Sequence, residues 1–529
     1  MLLTLPLAGQ EKLSESIEVR VVNVDVVVTD KAGKPVYGLK KDDFELYENG
    51  VRQPLSNFYE VRPGDLPVPA TAGPVEAPPP PQVRARHIVI FLDDYSIEPR
   101  MRANVFAALN RFVDTQMHEG DSASIVSWSH STQVLQPFTT DKFLLKDVIS
   151  KMPQRSTIQA RMEDQQVRSE CLDASRVRGR GRQSAIDDCA MQIEARIDQQ
   201  WAMERDLLDA MRLTMASLSG MDGKKVMVIA GAHLPEVPGT GLYQLFNELF
   251  GTSINPRIRG NHRSQSVRIT DVAREANANG ITLYTIDTND ARNALGPDSV
   301  EGTSVDEAFI DFSNTAVALQ KLAQLTGGIA VSNTSNMDFA FDTVAQDLSS
   351  WYSLGYRPSD DKSTANRALR VKMKNPDYRV RTRQSYAMKS TEEQMTDRVT
   401  ANIFHDGMRS DWPVNLHVGI PQRQGKLYRV PIEVKVPPSL TLLPAEGQKL
   451  AGGFDIYIVV GNDDGKRSNI TKRAQPIVIP AAAERAIRMK PLVFNAVLMV
   501  RPGKNTISVG VIDQVTNVSG FARSNVVAR

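Results

Sequence analysis

The stretch His87-Ile-Val-Ile-Phe-Leu-Asp-Asp-Tyr-Ser-Ile-Glu98 decides the fold of this 529-residue chain. Its first half, which ends at Leu92, is an apolar run typical of a strand that is buried on both faces. Two carboxylates, Asp93 and Asp94, follow at once, and Ser96 and Glu98 come shortly after them. An open α/β sheet binds its ligands at the carboxyl ends of its strands, so we predict that a ligand-binding edge lies here.

Helical and strand patterns alternate beyond this stretch. Met101 to Met117 has helical periodicity, and Ser122–Trp128, Lys225–Ala230 and Ile281–Ile286 are apolar runs of strand length. Such alternation predicts a doubly wound parallel sheet covered by helices, over residues 87 to about 350. A long polar helical region, about 158–218, interrupts the pattern and predicts a helical hairpin inserted into the α/β domain.

β patterns flank this domain on both sides. Residues 17–61 alternate apolar and polar side chains and include Asn49-Gly50, a strong hairpin signal. Residues 351–388 form a second β segment. Neither segment has enough strands to bury a core alone, so we predict that they form one β-sandwich with the α/β domain inserted in it; two separate β appendages are the alternative.

The remaining segments complete the domain organisation, and their boundaries are as follows. Residues 1–16 are a signal remnant or a disordered terminus, 62–86 are a Pro-rich linker, and 389–529 are a linking helix and a C-terminal β-sandwich. The predicted fold class is therefore α/β plus all-β.

Composition excludes several classes of function. Lys and Arg number 63 against 61 Asp and Glu, and aromatic residues make up 6%, so no basic or stacking surface for nucleic acid is predicted. No apolar run reaches the length of a transmembrane span. The chain also lacks His-Glu-x-x-His, Gly-x-Ser-x-Gly and the phosphate-binding loop motif, which disfavours the corresponding enzymes.

The predicted helical hairpin has two further features. Cys171 and Cys189 lie symmetrically about its turn, which predicts a disulfide and an oxidising compartment; two free cysteines are the alternative. The turn itself is rich in arginine, and these residues are candidates for binding an acidic partner or phosphate, although a merely solvated surface is the alternative. The arginines are Arg176, Arg178, Arg180 and Arg182.

Several stretches together resemble the bacterial VWFA-related-domain proteins. They are Val24-Asp-Val-Val-Val-Thr-Asp-Lys-Ala-Gly-Lys-Pro-Val36, Leu39-Lys-Lys-Asp-Asp-Phe-Glu-Leu-Tyr-Glu-Asn-Gly50, Ala273-Arg-Glu-Ala-Asn277, Leu283-Tyr-Thr-Ile-Asp287, Leu322-Ala-Gln-Leu-Thr-Gly-Gly328 and Tyr352-Ser-Leu-Gly-Tyr-Arg-Pro358. The resemblance covers about 17–388. It implies a von Willebrand factor A-type (vWA), Rossmann-like domain that binds macromolecules rather than catalysing a reaction.

Such domains carry a metal-ion-dependent adhesion site, with Asp-x-Ser-x-Ser in the first loop, a Thr in the second and Thr-Asp-Gly in the third. The positions of this chain that correspond to the first two loops are Asp93, Asp94, Ser96, Glu98 and Thr157. The third loop has Ala230-Gly-Ala-His233 and lacks the carboxylate. We therefore expect a degenerate site without a bound cofactor; Mg²⁺ or another divalent cation is the alternative.

These observations predict an extracytoplasmic protein-binding, adhesion or assembly module that is secreted, periplasmic or held in the cell envelope. The expected partner is a protein, which the sequence does not identify. The sequence is also compatible with an oligomer of this chain. The alternatives are a structural subunit of an envelope or extracellular assembly, and an uncharacterised enzyme.

Overall fold

A computed structural model describes most of the chain. The described residues are 21–62, 86–97, 99–152, 158–221, 223–231, 234–252, 261–288, 305–358, 365–404, 410–462 and 467–529. The predicted segment 1–16 lies outside these residues, as does the Pro-rich linker apart from residues 62 and 86.

The chain begins, within the described residues, with four strands. They are β1 (Val22–Thr29), β2 (Phe44–Glu48), β3 (Val51–Gln53) and β4 (Leu55–Val61). Strands β2 and β3 form the hairpin predicted from Asn49-Gly50, because Glu48 pairs directly with Val51. Asn49 and Gly50 both have positive φ, 49° and 83°, as a two-residue hairpin turn requires.

An α/β domain follows. Its elements are β5 (Arg86–Asp93), α1 (Pro99–Gln116), β6 (Ser122–Trp128), β7 (Thr132–Thr139), α2 (Lys142–Lys151), α3 (Ile158–Arg176), α4 (Arg182–Ser219), β8 (Lys224–Gly231), α5 (Thr240–Phe250), α6 (Ser266–Ala278), β9 (Ile281–Asp287), α7 (Val305–Thr326), β10 (Ala330–Val331) and α8 (Met337–Asp347). The strand order is β10-β9-β8-β5-β6-β7. Only β7 runs antiparallel to its neighbour. This doubly wound arrangement agrees with the vWA-type fold that the resemblance implies.

The central strand β5 explains why this sheet needs helices on both faces. Ile88, Ile90 and Leu92 pack into one apolar cluster, with α1 and α8. Val89 and Phe91 point to the opposite face and pack with α4, α6 and α7. All five side chains are fully buried, as expected for an inner strand of a parallel sheet.

Two elements of this domain were not predicted. Strand β7 contains four polar residues and Pro137, and its pairing with β6 is irregular, so it lacks a clear period-two pattern. Helix α5 follows Pro235, Pro238 and Gly239, which are typical of a loop. Gly239 has a positive φ of 71° and precedes the helix directly.

Four strands after the α/β domain share two sheets with the four before it. They are β11 (Trp351–Tyr356), β12 (Arg367–Met373), β13 (Arg379–Thr382) and β14 (Ser385–Tyr386). The strands form two sheets, β13-β1-β11-β4 and β14-β12-β2-β3. Val24 pairs with Leu354, and Leu46 pairs with Val371. Their side chains are buried in one apolar cluster between the sheets.

The rest of the chain forms a helix and a second pair of sheets. The elements are α9 (Thr391–Ala401), β15 (Asn415–Val418), β16 (Gln422–Gln424), β17 (Leu427–Val436), β18 (Leu442–Ala445), β19 (Lys449–Asn462), β20 (Thr471–Pro480), α10 (Glu484–Ile487), β21 (Leu492–Val500), β22 (Gly503–Asp513) and β23 (Ser519–Ala528). Helix α9 begins with a capping box between Ser390 and Glu393. Strand β17 pairs with β15, β16 and β21, and β19 pairs with β18, β20 and β22, which also pairs with β23.

Substitution Leu354→Ala tests the pairing of strands from the two sides of the α/β domain. Leu354 is fully buried on β11, so its loss leaves a cavity that costs about 2–5 kcal/mol. We expect faster amide exchange, measured by mass spectrometry, in β1 and β4, because both pair with β11. The control Val51→Ala removes a side chain that is 64% exposed and should leave exchange unchanged. Faster exchange confined to β11 would contradict the shared sheet.

Candidate functional site

Asp93 lies at the carboxyl end of β5, in the middle of the α/β sheet. Its carboxylate accepts a hydrogen bond from the Ser96 hydroxyl, and its main-chain oxygen accepts from the amides of Ser96 and Ile97. These contacts fold the chain back sharply after the strand. The second carboxylate oxygen has no hydrogen-bond partner among the described residues. Asp93 therefore presents one unused acceptor at the strand end.

The surroundings of Asp93 change its acidity. The side chain is only 2% exposed, and burial raises the pKa of its carboxyl from 3.8 to about 7. Hydrogen bonds from Ser96 oppose this rise, and the neighbouring charge of Asp94 adds to it. Asp93 is thus an acid that titrates near neutral pH.

Asp94 is held differently. Its carboxylate forms an ion pair with Arg102 of α1, at 2.6 Å, and both side chains are buried. The Arg102 guanidinium also lies over the ring of Phe106, 5.2 Å from its centroid. The charge of Asp94 is therefore paired with a guanidinium of the same chain. Asp94 and Ser96 lie close to Asp93, as predicted, but Asp94 is already neutralised.

The neighbouring strand ends complete this edge of the sheet. Gly231 ends β8 so close to Asp93 that a Cβ placed on it would lie 2.5 Å from the Asp93 Cβ. Gly231 is paired with Asp287 of β9, and its carbonyl accepts from the amide of Thr288. Asp287 and Thr288 are fully buried. A further carboxylate, that of Asp287, thus lies at the end of the strand next to β8.

The structure describes only some of the residues predicted to form the site. Glu98 and Thr157 lie outside the described residues, as does His233, so their positions relative to Asp93 stay untested. Within the described part of the chain, no group of three or more His, Cys, Asp or Glu side chains is arranged to hold a metal ion. With Asp94 bound to Arg102, the described side chains near Asp93 do not make a cation-binding set.

Tyr95 links the β5 loop to the helical hairpin. The sequence did not predict this contact. Burial raises the pKa of the Tyr95 hydroxyl, and the nearby guanidinium of Arg196 on α4 opposes this rise. Arg196 is also paired with Glu163 and Asp164 of α3, at 2.7 and 2.6 Å. The ring of Tyr95 packs edge-on against Trp128 of β6. One buried guanidinium therefore joins both arms of the hairpin to the candidate site.

The hairpin is closed by a covalent bond and by an apolar base. Cys171 of α3 and Cys189 of α4 form a disulfide. Around it, Ile193 and Ile197 pack with Leu242, Tyr243 and Phe246 of α5 in a buried cluster. The sequence predicted a polar hairpin. The part of the hairpin around the disulfide is instead apolar and packs against α5, a helix that was not predicted.

The tip of the hairpin carries the four predicted arginines, and all four are exposed. Arg176 pairs with Asp173 at 2.8 Å, and Arg178 donates to the carbonyl of Ser175 at 2.7 Å. Both contacts hold the end of α3. Arg180 and Arg182 belong to the turn between the helices. The hairpin turn therefore gathers the four side chains at one exposed end.

Similar proteins are found only among solved structures, and the likeness is weak. No family model and no curated protein matches the chain. Among solved structures, the vWF domain of the type V pili tip protein Mfa5 from Porphyromonas gingivalis is 13% identical, with 50% of this chain and 95% of that one covered and a TM-score of 0.26. An aerotolerance-related membrane protein from Bacteroides fragilis is 11% identical, with 50% and 98% covered and a TM-score of 0.24. At such scores, nothing about function follows from either likeness.

Substitution Asp93→Asn tests the buried acid. Because the folded-state pKa is about 7 and the ordinary value is 3.8, wild-type Asp93 should cost stability increasingly as the pH rises from about 4 to about 7. Asparagine cannot ionise, so the thermal midpoint of the variant should rise relative to wild type between pH 5 and pH 8. The control Asp188→Asn alters an exposed carboxylate and should show no such trend. A difference independent of pH would contradict the assignment.

Proposed function

We propose that this chain is an extracytoplasmic vWA-type module that binds a protein partner through its helical hairpin and the adjoining carboxyl edge of the α/β sheet. The observation that carries the proposal is the buried link from Tyr95 through Arg196 to both arms of the hairpin. A projection that is only solvated needs no such anchoring. An anchored and disulfide-closed hairpin presents its tip in one orientation, which reduces the entropy lost on binding.

The position of the other domains supports this choice of surface. Lys224, at the amino end of β8, pairs with Asp25 of β1 at 3.0 Å. Arg383, next to β13, donates to the carbonyl of Asn277 at the end of α6. The first β-sandwich thus contacts the amino ends of the sheet strands. The carboxyl edge, with Asp93, lies at the opposite ends of these strands, and we propose it as part of the partner surface.

The strand pairing supports a proposal about architecture. We propose that the α/β domain is inserted into the first β-sandwich, because β1 lies between β11 and β13 in one sheet. Both connections to the α/β domain then leave the same sandwich. Such a double connection restrains the domain more than a single linker would, so a partner on the hairpin would be held at a defined distance from the C-terminal sandwich.

The tip chemistry indicates the kind of partner. Four guanidinium groups at one exposed end favour a surface rich in carboxylates, which arginine binds through paired hydrogen bonds. We propose binding rather than catalysis, because the carboxylate of Asp94 is paired with Arg102 and one oxygen of Asp93 with the Ser96 hydroxyl. A structural subunit of an envelope assembly would use the same surface against a permanent neighbour.

Two observations bear on location. The Cys171–Cys189 disulfide supports an oxidising compartment, as in secreted and envelope proteins. Within the described part of the chain, no helix combines the length and the apolar character needed to cross a bilayer. On the evidence of the disulfide, we propose a secreted, periplasmic or envelope location.

We propose further that binding does not depend on a metal ion, because the Arg102 guanidinium already neutralises Asp94. Calorimetric titration of Mg²⁺, Mn²⁺ and Ca²⁺ to millimolar concentration should give no binding heat with the wild-type protein. Asp93→Asn and Asp94→Ala provide the controls. Heat that appears with wild type and disappears with both variants would show that the site holds a cation.

Charge reversal at the tip tests partner binding. The triple variant Arg178→Glu, Arg180→Glu, Arg182→Glu keeps Arg176, which pairs with Asp173. We expect at least a tenfold loss of proteins captured from an envelope fraction of the source organism, about 1.4 kcal/mol of binding free energy. Proteins are to be identified and quantified by mass spectrometry.

A matched variant controls for net charge in this capture experiment. Lys34, Lys40 and Lys41 are exposed on the first β-sandwich, and their change to Glu alters the net charge by the same amount. This variant should capture the same proteins as wild type. Equal losses with both variants would point to nonspecific electrostatics, and no loss with the tip variant would remove the hairpin from the binding surface.

A further inference from the structure

Strand β21 in the C-terminal sandwich has an open edge. One of its edges pairs with β17 over nine residues. Among the described residues, no strand pairs with the other edge. Three of its four outward side chains are apolar and exposed, Val493 at 50%, Val497 at 46% and Met499 at 47%, and the fourth is Asn495. A long apolar edge strand is a template for pairing with another strand.

The inward face of β21 is also incompletely covered. Phe494 and Leu498 pack against the sandwich core but are only partly buried. The facing residues of β17, Val434 and Val430, are fully buried. Both strands belong to the same sheet and contribute to the same core. The incomplete burial of β21 therefore follows from its position at the open edge, and one further strand would cover it.

The other sheet of the sandwich shows how this chain protects an edge. Strand β20 pairs only with β19 among the described strands. It carries Lys472 and Arg473 near its start and has proline at 476 and 480. Charged residues and prolines on an edge strand discourage further pairing. Between Leu492 and Val500, strand β21 contains no charged residue and no proline.

Positive charge surrounds this unprotected edge. Residues 422–436 and 484–501, which comprise β16, β17 and β21 with their adjoining turns, carry eight Lys or Arg and two Glu, a net charge of +6. The whole chain carries only +2. Lys490 and Arg501 are exposed just before and just after β21, and Arg429 and Lys435 are exposed on the adjacent strand. An apolar strand with cationic ends complements an apolar segment with acidic ends.

We propose that the open edge of β21 binds an extended segment of a partner protein, with alternating apolar side chains and acidic flanks, by adding it as a further strand. The added strand would satisfy the outward backbone groups of β21 and cover Phe494 and Leu498. This surface lies in the C-terminal sandwich, so the inference goes beyond the function proposed for the hairpin and does not depend on it.

Two other occupants fit less well. A second copy of this chain, paired antiparallel about Ala496, would bring its own Arg501 next to Lys490, and like charges at the strand ends oppose pairing. An anionic membrane would match the charge and the exposed valines. It would offer no strand to pair with the β21 backbone, and unpaired backbone groups are costly in lipid.

Synthetic peptides test the proposal with the full-length protein. The probe is a fluorescein-labelled peptide of nine alternating valine and threonine residues, with two glutamates at each end, and binding is followed by fluorescence anisotropy. We expect saturable binding. Two changes should each weaken it at least tenfold: N-methylation of alternate amides, which blocks strand pairing, and replacement of the glutamates by lysines, which reverses the charge match.

Matched variants locate the binding. Val497→Glu places a charge on the open edge and should weaken probe binding at least tenfold. Val478→Glu makes the same change on β20, at a side chain that is 61% exposed, and should leave the affinity within twofold of wild type. The hairpin variant with Arg178, Arg180 and Arg182 changed to Glu should bind the probe normally, so failure here and failure of the hairpin proposal are distinguishable.

The remaining outcomes each overturn the proposal. They are absence of probe binding up to millimolar concentration, equal binding of the N-methylated peptide, and equal effects of Val497→Glu and Val478→Glu. Sedimentation with phosphatidylglycerol vesicles that Val497→Glu abolishes, without probe binding, would assign the surface to a membrane. A dimer seen by analytical ultracentrifugation and lost in Val497→Glu would assign it to a second copy of this chain.

Discussion

The antiparallel pairing of β1 with β11 is the constraint on which the rest of the structure depends. It joins residues from the two sides of the α/β domain, and contacts beyond the strands reinforce it. The amide of Leu39 donates to the hydroxyl of Tyr352 at 3.3 Å, across 313 positions of sequence. Loop closure over such a length costs entropy. The buried apolar cluster between the two sheets of this sandwich offsets that cost.

Polar contacts then determine how the sandwich and the α/β sheet meet. Asp347, at the end of α8, accepts hydrogen bonds from Tyr284 of β9 at 2.7 Å and from Arg381 of β13. Arg383 is half-buried and donates to the carbonyl of Asn23 at 2.7 Å. A buried charge without a partner is costly, so these groups favour one arrangement of the two domains over others. That arrangement occupies the amino ends of the strands.

The two binding surfaces proposed for this chain differ in the interactions that they offer a partner. The hairpin offers charge at the end of an anchored and covalently closed projection, where Arg196 and the disulfide hold both helices. Strand β21 offers backbone groups and apolar side chains along an open sheet edge. A chain with two such surfaces, in different domains, could join two partners, and this suits an assembly module better than a simple receptor.

Local sequence signals predicted much of the fold. The apolar run before Asp93, the Asn49-Gly50 turn and the helical periodicity after Met101 each gave an element that the structure contains. They succeeded because strand burial, turn geometry and helix amphipathicity depend on neighbouring residues. Strand β7 and helix α5 escaped prediction, since Pro137 and the Pro235 to Gly239 segment outweighed any periodicity there.

The candidate site combines residues whose positions the sequence predicts with contacts that it does not predict. The amino-acid sequence by itself determined that acidic residues lie at the end of a buried strand. Only the tertiary structure decided that Arg102 neutralises Asp94, that Asp287 lies one strand away, and that Tyr95 reaches Arg196. The physical reason is that charge and hydrogen-bond partners are chosen by distance in space. Residues far apart in the chain become neighbours only when the sheet and the hairpin have formed.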